Sequence, residues 1–517
     1  MSHLKVLAEQ IAHYGVQHVF GIPGSGTSLT LIDNLRQLGV KFHLVHFEGC
    51  AAIMAGTMGR LSDSCGVSVG IKGPGLANML PGMAACSLDS LPAVNITEAY
   101  PPDSPVSSAH KRLDHLQLVS PVVKTSVFWS ESGSTFKTLA QTAEAECPGP
   151  VHIDITGKDP CCHGEVIQNK TIIPESCDEI FRTLDKSCRP LLLVGSLSLR
   201  QQLTAQLNAV GVPVFTTASA KGVVDETLPH AAGVYTGAGL EFAAESRLMD
   251  DADLIVAIGL RYNEVLSVKE FPCDSVLLDP LGEVASGDFG FSHISWIENK
   301  ETWQEFWQRF EGLGWGRAEI AESRKQVRQS LLSHGFMPAH VLENVNLFFS
   351  GKARLVVDTG LFCTVAEHVW PAKHPALYIG SGQGRYMGIS LPQGIAASIY
   401  DPAVPTIIFC GDGSIGMFIS ELKLAVINTL PLIVILCSDG KFGTLRGRAV
   451  KDGLHEEPLT ISSPSWMAVM EGLGFNAVRA DSEDGLGRVL QEWDYSPLFI
   501  ETQFDADSYM MMTRKIR

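Results

Sequence analysis

No run in this 517-residue chain approaches the roughly 18 consecutive apolar residues that a membrane-crossing helix needs. The opening stretch MSHLKVLAEQIAHYG has no apolar core of the secretory kind and reads as an amphipathic helix capped by Ser2. Positive charge is scarce as well. With 39 Lys and Arg against 56 Asp and Glu, the net charge is -17, which argues against nucleic acid and anionic membranes as partners, because both reward basic patches. The 12 cysteines have no CxxC spacing and sit mostly in apolar segments such as IIFCGDG and VILCSDG, as reduced, buried thiols of a cytoplasmic protein would. Cys161 and Cys162 are adjacent but have no His or Cys at ligand spacing, so no metal is expected there. Fixed-period repeats and low-complexity segments are also missing.

What is present is a well-buried globular composition, 45% hydrophobic and 18% charged, in a chain long enough for about three cores. From residue 16 short β-rich runs (QHVFGI, KFHLVH, GVSVGI, PAVNIT) alternate with helical ones (SLTLIDNLRQL, GCAAIMAGTMGRL, LANMLPGMAAC). This alternation predicts βαβ units around a parallel sheet covered on both faces. It closes at PGPVHIDITG and restarts with PLLLVGS, VPVFTTA, DLIVAIG and DSVLLDP. After the charged helical piece GRAEIAESRKQVRQSLLSHG it restarts again with ARLVVDTG, ALYIGSG, PTIIFCGDG, PLIVILCSDG and PLFIETQF. The expected architecture is three consecutive α/β domains, over residues 1–160, 185–320 and 340–517.

Sites in open parallel sheets form beyond the carboxyl ends of the strands. In the third unit, IIFCGDGSIG turns from strand to helix through Gly411 and Gly413, which permit close backbone approach, with Asp412 between them. Taken alone, an acidic turn is common. The next strand ends in CSDGKFG, with Asp439 placed 27 positions after Asp412. Two carboxylates on neighbouring strand ends, joined by a loop carbonyl, suit Mg²⁺ or Ca²⁺ completed by phosphate and water, while no thiolate or imidazole at either turn invites a softer metal.

This GDG turn, buried strand and second oxygen donor resemble the diphosphate motif of thiamine diphosphate enzymes, and GSGQGRYMGISLPQG ahead of it is similar to the GxMGxxLP segment of the acetolactate synthase branch. The resemblance implies pyrimidine-binding, central and diphosphate-binding domains, in that order. It implies Asp412 and Asp439 as side-chain ligands of Mg²⁺, Lys441 as a main-chain ligand, and Gly360, Gly411, Gly413, Ser414 and Gly443 against the cofactor. Met387 would be wedged beneath the cofactor; from the sequence it is equally a gap-filling core residue. The family pattern usually ends in Asn-Asn where this chain has Ser438 and Asp439, an extra negative charge that should make cofactor binding more metal-dependent.

In the first unit, Glu48 opens the Ala-rich stretch EGCAAIMAGTMGRL. It reads either as an exposed first-turn acid favoured by the helix dipole or as a carboxyl with a raised pKa among apolar neighbours. The resemblance favours the second reading: Glu48 would exchange a proton with the aminopyrimidine ring of thiamine, in a homodimer or homotetramer whose subunits share active sites. Ser25 in GIPGSGTS falls at a substrate-side loop or serves as a helix cap. Lys72, where the family has a small polar residue, and His110-Lys111, where acetolactate synthases carry Phe-Gln, add positive charge to loops expected to face the thiazolium, or are ordinary surface cations. Together they suggest a substrate with an extra anionic group. In the middle unit the first strand is followed by one glycine rather than GxGxxG, which argues against FAD, a cofactor some family members bind there. The implied activity is decarboxylation of a small 2-oxo acid with transfer of the remaining fragment to an acceptor, as in a carboligase; the alternative is a simple decarboxylase that releases an aldehyde, with an anionic pyruvate derivative as one candidate substrate.

Overall fold

The strands PLLLV and LIVAI are buried at every position, and LIVILCS at all but its last. Apolar side chains on both faces of a strand require a covering layer on each side, which a parallel sheet acquires from its crossover helices. The computed structural model shows this arrangement three times. It describes residues 3–101, 104, 110–157, 166–167, 173, 176–237, 242–261, 264, 267, 270–282, 284, 289–462 and 464–513; Ser2, Cys161 and Cys162 lie outside them.

The chain divides into two compact units. One comprises Met1–Asn169, Leu391–Ala403 and Met417–Leu430. Its sheet contains β1 (His18–Gly21), β2 (Lys41–Leu44), β3 (Gly66–Gly70), β4 (Ala93–Glu98), β5 (Thr125–Phe128), β6 (Pro150–Ile155) and β7 (Val166–Ile167) in the order β2-β1-β3-β4-β6-β5-β7. All pairings are parallel except that of the two-residue edge strand β7 with β5. The sequence pattern did not anticipate this edge strand, which is too short to show a period.

The other unit comprises Lys170–Ser390, Val404–Gly416 and Pro431–Arg517 and carries two six-stranded parallel sheets. The first is built from β8 (Pro190–Val194), β9 (Val214–Thr216), β10 (Ala231–Val234), β11 (Leu254–Ile258), β12 (Asp274–Leu278) and β13 (His293–Ser295), ordered β10-β9-β8-β11-β12-β13. The second has β14 (Arg354–Val357), β15 (Tyr378–Gly380), β16 (Thr406–Gly411), β17 (Leu432–Ser438), β18 (Asn476–Arg479) and β19 (Leu498–Gln503), ordered β15-β14-β16-β17-β19-β18. In each sheet the chain leaves its first strand in one direction and later returns on the other side. The reversal opens a crevice at the carboxyl ends of β1 and β3, of β8 and β11, and of β14 and β16. The charged piece after the central sheet is the helix Arg317–Leu332. Among the described residues, no helix is long and apolar enough to cross a membrane.

Candidate active site

At the third crevice, Gly411 lies opposite Cys437 in the β16–β17 register, which brings the two acidic turns side by side. Asp412 is buried and its carboxylate organises the second turn: Oδ1 accepts from Ser438 Oγ at 3.0 Å, and Oδ2 from the N–H groups of Asp439 and Gly440, each at 2.9 Å. Asp439 in turn accepts from Lys441 N at 3.1 Å. Burial, and then the Asp412 charge, push the Asp439 carboxyl up to about 6, so these two acids are held close at an electrostatic cost that a cation between them would relieve. An all-oxygen donor set fits a hard divalent ion. The nearby Cys437 thiol is driven well above its ordinary range by burial, and is no thiolate ligand.

Beside the acids lies a cavity of about 430 Å³ lined by Gly360, Gly411, Gly413, Ser414, Asp439, Lys441 and Gly443, with Met387 and Arg385 also on its wall. The structure thus gathers the diphosphate-side and metal-side residues expected from the sequence around one space. Met387 lines that cavity and is not part of the packed core. Its loop is fixed by a residue the sequence reading missed. Asp358, buried at the end of β14, accepts from Gly388 N at 3.0 Å, Ser390 Oγ at 2.6 Å and Thr359 N at 2.7 Å. Burial raises its carboxyl despite these bonds. An acid immediately after the apolar run RLVV was its only signal.

In the other unit, Glu48 begins the helix Glu48–Ser62 and is only 4% exposed, which excludes the surface-acid reading. Its Oε2 accepts from Asn78 Nδ2 at 3.1 Å. The segments after β1 and β3, expected to face the substrate, converge on a second buried acid, Glu98, the last residue of β4. Ser28 donates to Glu98 Oε1 through its N–H at 2.9 Å and its Oγ at 2.6 Å, and Lys72 Nζ reaches Oε2 at 3.1 Å. Burial opposes the Glu98 charge, but these donors outweigh it and hold the carboxyl below its ordinary value. Ser25 is exposed and is not the helix cap: the cap position belongs to Gly26, and it is Ser28 that enters the network. Lys72 is therefore paired rather than a bare surface cation. It also sits over the Tyr100 ring at 5.2 Å, whose hydroxyl bonds His110 Nδ1 at 3.1 Å. Lys111 presses its carbonyl against Gly73, where a Cβ would lie 1.9 Å from the oxygen and where φ is +65°, so only glycine fits. Three of the four expected substrate-side residues, Lys72, His110 and Lys111, thus share one cluster.

Gly73 is held from the other side by a buried chain. Its N–H can only donate, so His115 Nε2 accepts (3.0 Å) and the ring proton sits on Nδ1, directed at Asp154 Oδ1 (2.7 Å). Thr97 Oγ1 lies 3.0 Å from the same oxygen and 2.8 Å from His152 Nε2, while Ser126 Oγ meets His152 Nδ1 at 2.8 Å. His115, His152 and Asp154 have the proximity of a metal cluster, but every ring nitrogen is committed to a hydrogen bond, so the group supports the loop.

The central crevice is different. Where a dinucleotide phosphate would meet the backbone after β8, Ser196 N donates to Glu264 Oε1 at 2.8 Å, and a Cβ on Gly195 would lie 2.3 Å from Gly259 O and 2.7 Å from Glu264 Oε2. A side-chain carboxylate takes the backbone donor that would meet the anion, so among the described residues the turn after β8 does not fit a dinucleotide phosphate.

Comparison with known proteins agrees with this geometry. The thiamine pyrophosphate enzyme N-terminal TPP binding domain matches residues 1–118, the central domain 177–279 and the C-terminal TPP binding domain 358–502. Acetolactate synthase large subunit of Haemophilus influenzae is 24% identical over 95% of this chain and 92% of its own length. The isozyme 3 large subunit of Escherichia coli matches equally, and a probable acetolactate synthase large subunit of Methanocaldococcus jannaschii is 24% identical over 95% and 90%. Three matched domains, in the order of the three sheets, mean that the chain belongs to the thiamine pyrophosphate enzyme family, as a thiamine diphosphate-dependent enzyme of its acetolactate synthase-like branch.

Proposed function

We propose that this enzyme decarboxylates a small 2-oxo acid and transfers the remaining acyl-anion equivalent to an acceptor, with Mg²⁺ and thiamine diphosphate as cofactors and no flavin. The observation that carries this reading is the glycine-lined cavity closed by Asp412 and Asp439, together with the acetolactate synthases among its relatives. Asp412, Asp439 and the Lys441 carbonyl would hold the metal, Gly411, Gly413, Ser414 and Gly443 the diphosphate, and Gly360 and Met387 the ring side. When bound, the cofactor would supply a nucleophilic carbon and hold the electron pair left behind when CO₂ departs. The chain's own residues place and protect it. Glu48, buried on a rigid helix, holds and returns a proton at its carboxyl, and the loops anchored on Glu98 shape the substrate end.

Lys72 and His110, joined through Tyr100, support a substrate bearing a second anionic group, and Lys111 follows on the same loop. If Lys72→Ala and His110→Ala left kcat/KM unchanged for every active 2-oxo acid, that assignment would be lost. A panel of 2-oxo acids, assayed for CO₂ with and without acceptor, tests the activity. A ligated product supports the carboligase; free aldehyde alone supports the decarboxylase. We further place the enzyme in the cytoplasm, with domains over 1–160, 185–320 and 340–517, as a homodimer or homotetramer in which Glu48 of one subunit serves the cavity of another. Mixing impaired Glu48→Gln and Asp412→Ala chains in equal amounts should then restore about a quarter of the activity through mixed dimers. No restoration after subunit exchange would place both residues in one chain's site.

A further inference from the structure

Nine residues after Asp412, the chain places Glu421 in a short segment, Met417–Leu430, that belongs to the same compact unit as Glu48. The Glu421 side chain is fully buried. Its Oε1 accepts from His46 N and from Phe47 N, both at 3.0 Å, and its Oε2 from His46 N at 3.1 Å. These are the two peptide groups immediately ahead of Glu48. The Phe418 ring stacks on the Phe47 ring, with centroids 5.9 Å apart and planes at 18°, and closes the same junction from a second side. The His46 ring lies 3.7 Å from Oε2, but burial, and then Lys423, lower its pKa, so the peptide N–H groups carry the contact.

An ordinary cap would be cheaper. Phe47 occupies the cap position of the Glu48 helix and has no acceptor, whereas Ser, Thr, Asp or Asn there would serve the helix start locally. Instead a distant carboxylate is taken out of water, and its burial raises it to about 7 even with the backbone donors, the Cys50 thiol and Lys423 acting in the opposite direction. Costly buried acids of this kind cluster where a neighbouring group must be held in place.

We propose that Glu421 is a positioning residue for Glu48: by clamping the peptides of His46 and Phe47 it fixes the direction in which the Glu48 carboxyl leaves the helix start. The inference rests on Glu48 being the proton-relay residue.

The test uses the full chain with alanine and glutamine at position 421, each in the wild-type and the Glu48→Gln background. It compares kcat, KM, far-UV circular dichroism and the Kd of thiamine diphosphate from quenching of tryptophan fluorescence. Glu421→Ala should lower kcat at least about tenfold, since misplacement of a catalytic group by an ångström costs that much or more, with Kd and the dichroism little changed. Glu421→Gln, which keeps a carbonyl acceptor, should recover most of the loss, and in the Glu48→Gln background Glu421→Ala should cost nothing further. Glutamine no better than alanine, or losses that multiply in the double variant, would make Glu421 a fold support only and overturn the proposal. Should the alanine chain lose its dichroism, Glu421→Asp, one methylene short, enters the same cycle with the same criteria. If Glu48→Gln is itself fully active, the underlying reading of Glu48 fails; if Glu48→Gln is impaired and Glu421→Ala is normal, only the present inference fails.

Discussion

The central and third sheets have six parallel strands each and a crevice at the point where strand order reverses, yet one crevice is shut and the other open. After β8, the backbone N–H that could greet an anion is taken by Glu264, and Gly195 sits against Gly259. After β16, Asp412 spends its oxygens on the neighbouring turn and leaves a cavity of about 430 Å³ beside two acids. Topology offers the site in both cases. Side chains at the strand ends decide whether a ligand or the protein itself fills it.

The largest effect is expected where the crevice is open. Asp412→Ala removes the proposed metal ligand together with three bonds that shape the second turn, and should weaken thiamine diphosphate at least about 100-fold in a titration with Mg²⁺, with activity falling in step; a change of less than threefold would break the contrast. Asp358→Asn leaves the acids untouched but loosens the loop bearing Met387. It should lower kcat by about tenfold while Kd for the cofactor moves little.

These two acids show what the sequence disclosed and what it withheld. The inner strands were legible because they are apolar runs bounded by Gly, Pro and Asp, and Asp412 and Asp439 because their turns follow such runs directly; β5, β7, β10, β13 and β18, shorter or more polar, were not read from the sequence. Glu421, Glu264 and Asp358 were not, since most of their partners are backbone N–H groups that carry no residue-type signature. Apart from Thr359, beside Asp358, those partners lie 374 to 375, 68 and 30 to 32 positions away and meet them only through topology. The helix-cap alternative for Ser25 failed for a related reason: a serine near a helix start resembles a cap, but the chain turns one residue later, at Gly26, and Ser28 takes the buried position.

In the closed crevice, Glu264→Ala should cost about 1–3 kcal/mol of stability by leaving the Ser196 N–H unpaired, read as a lower midpoint in urea. The same variant should gain affinity for pyrophosphate, which the wild-type crevice excludes. Flavin absorbance in purified wild-type protein would contradict the closed reading. A smaller effect concerns pH. Burial raises the Glu264 carboxyl above its ordinary value, so its folded form binds the proton more tightly than its unfolded form. Its contribution is therefore fully present below the ordinary carboxyl range and is lost as pH rises through the folded value. Glu264→Gln should flatten that part of the stability profile, and an unaltered profile would remove Glu264 as its source.

The central claim, that Asp412 and Asp439 grip a divalent cation on a diphosphate, is tested most directly by calorimetric titration of thiamine diphosphate into metal-stripped protein with and without Mg²⁺. The account predicts strong binding with Mg²⁺ and little without it, and a smaller difference for Asp439→Asn, which removes the extra negative charge. Equal affinity in the absence of any divalent cation would contradict it.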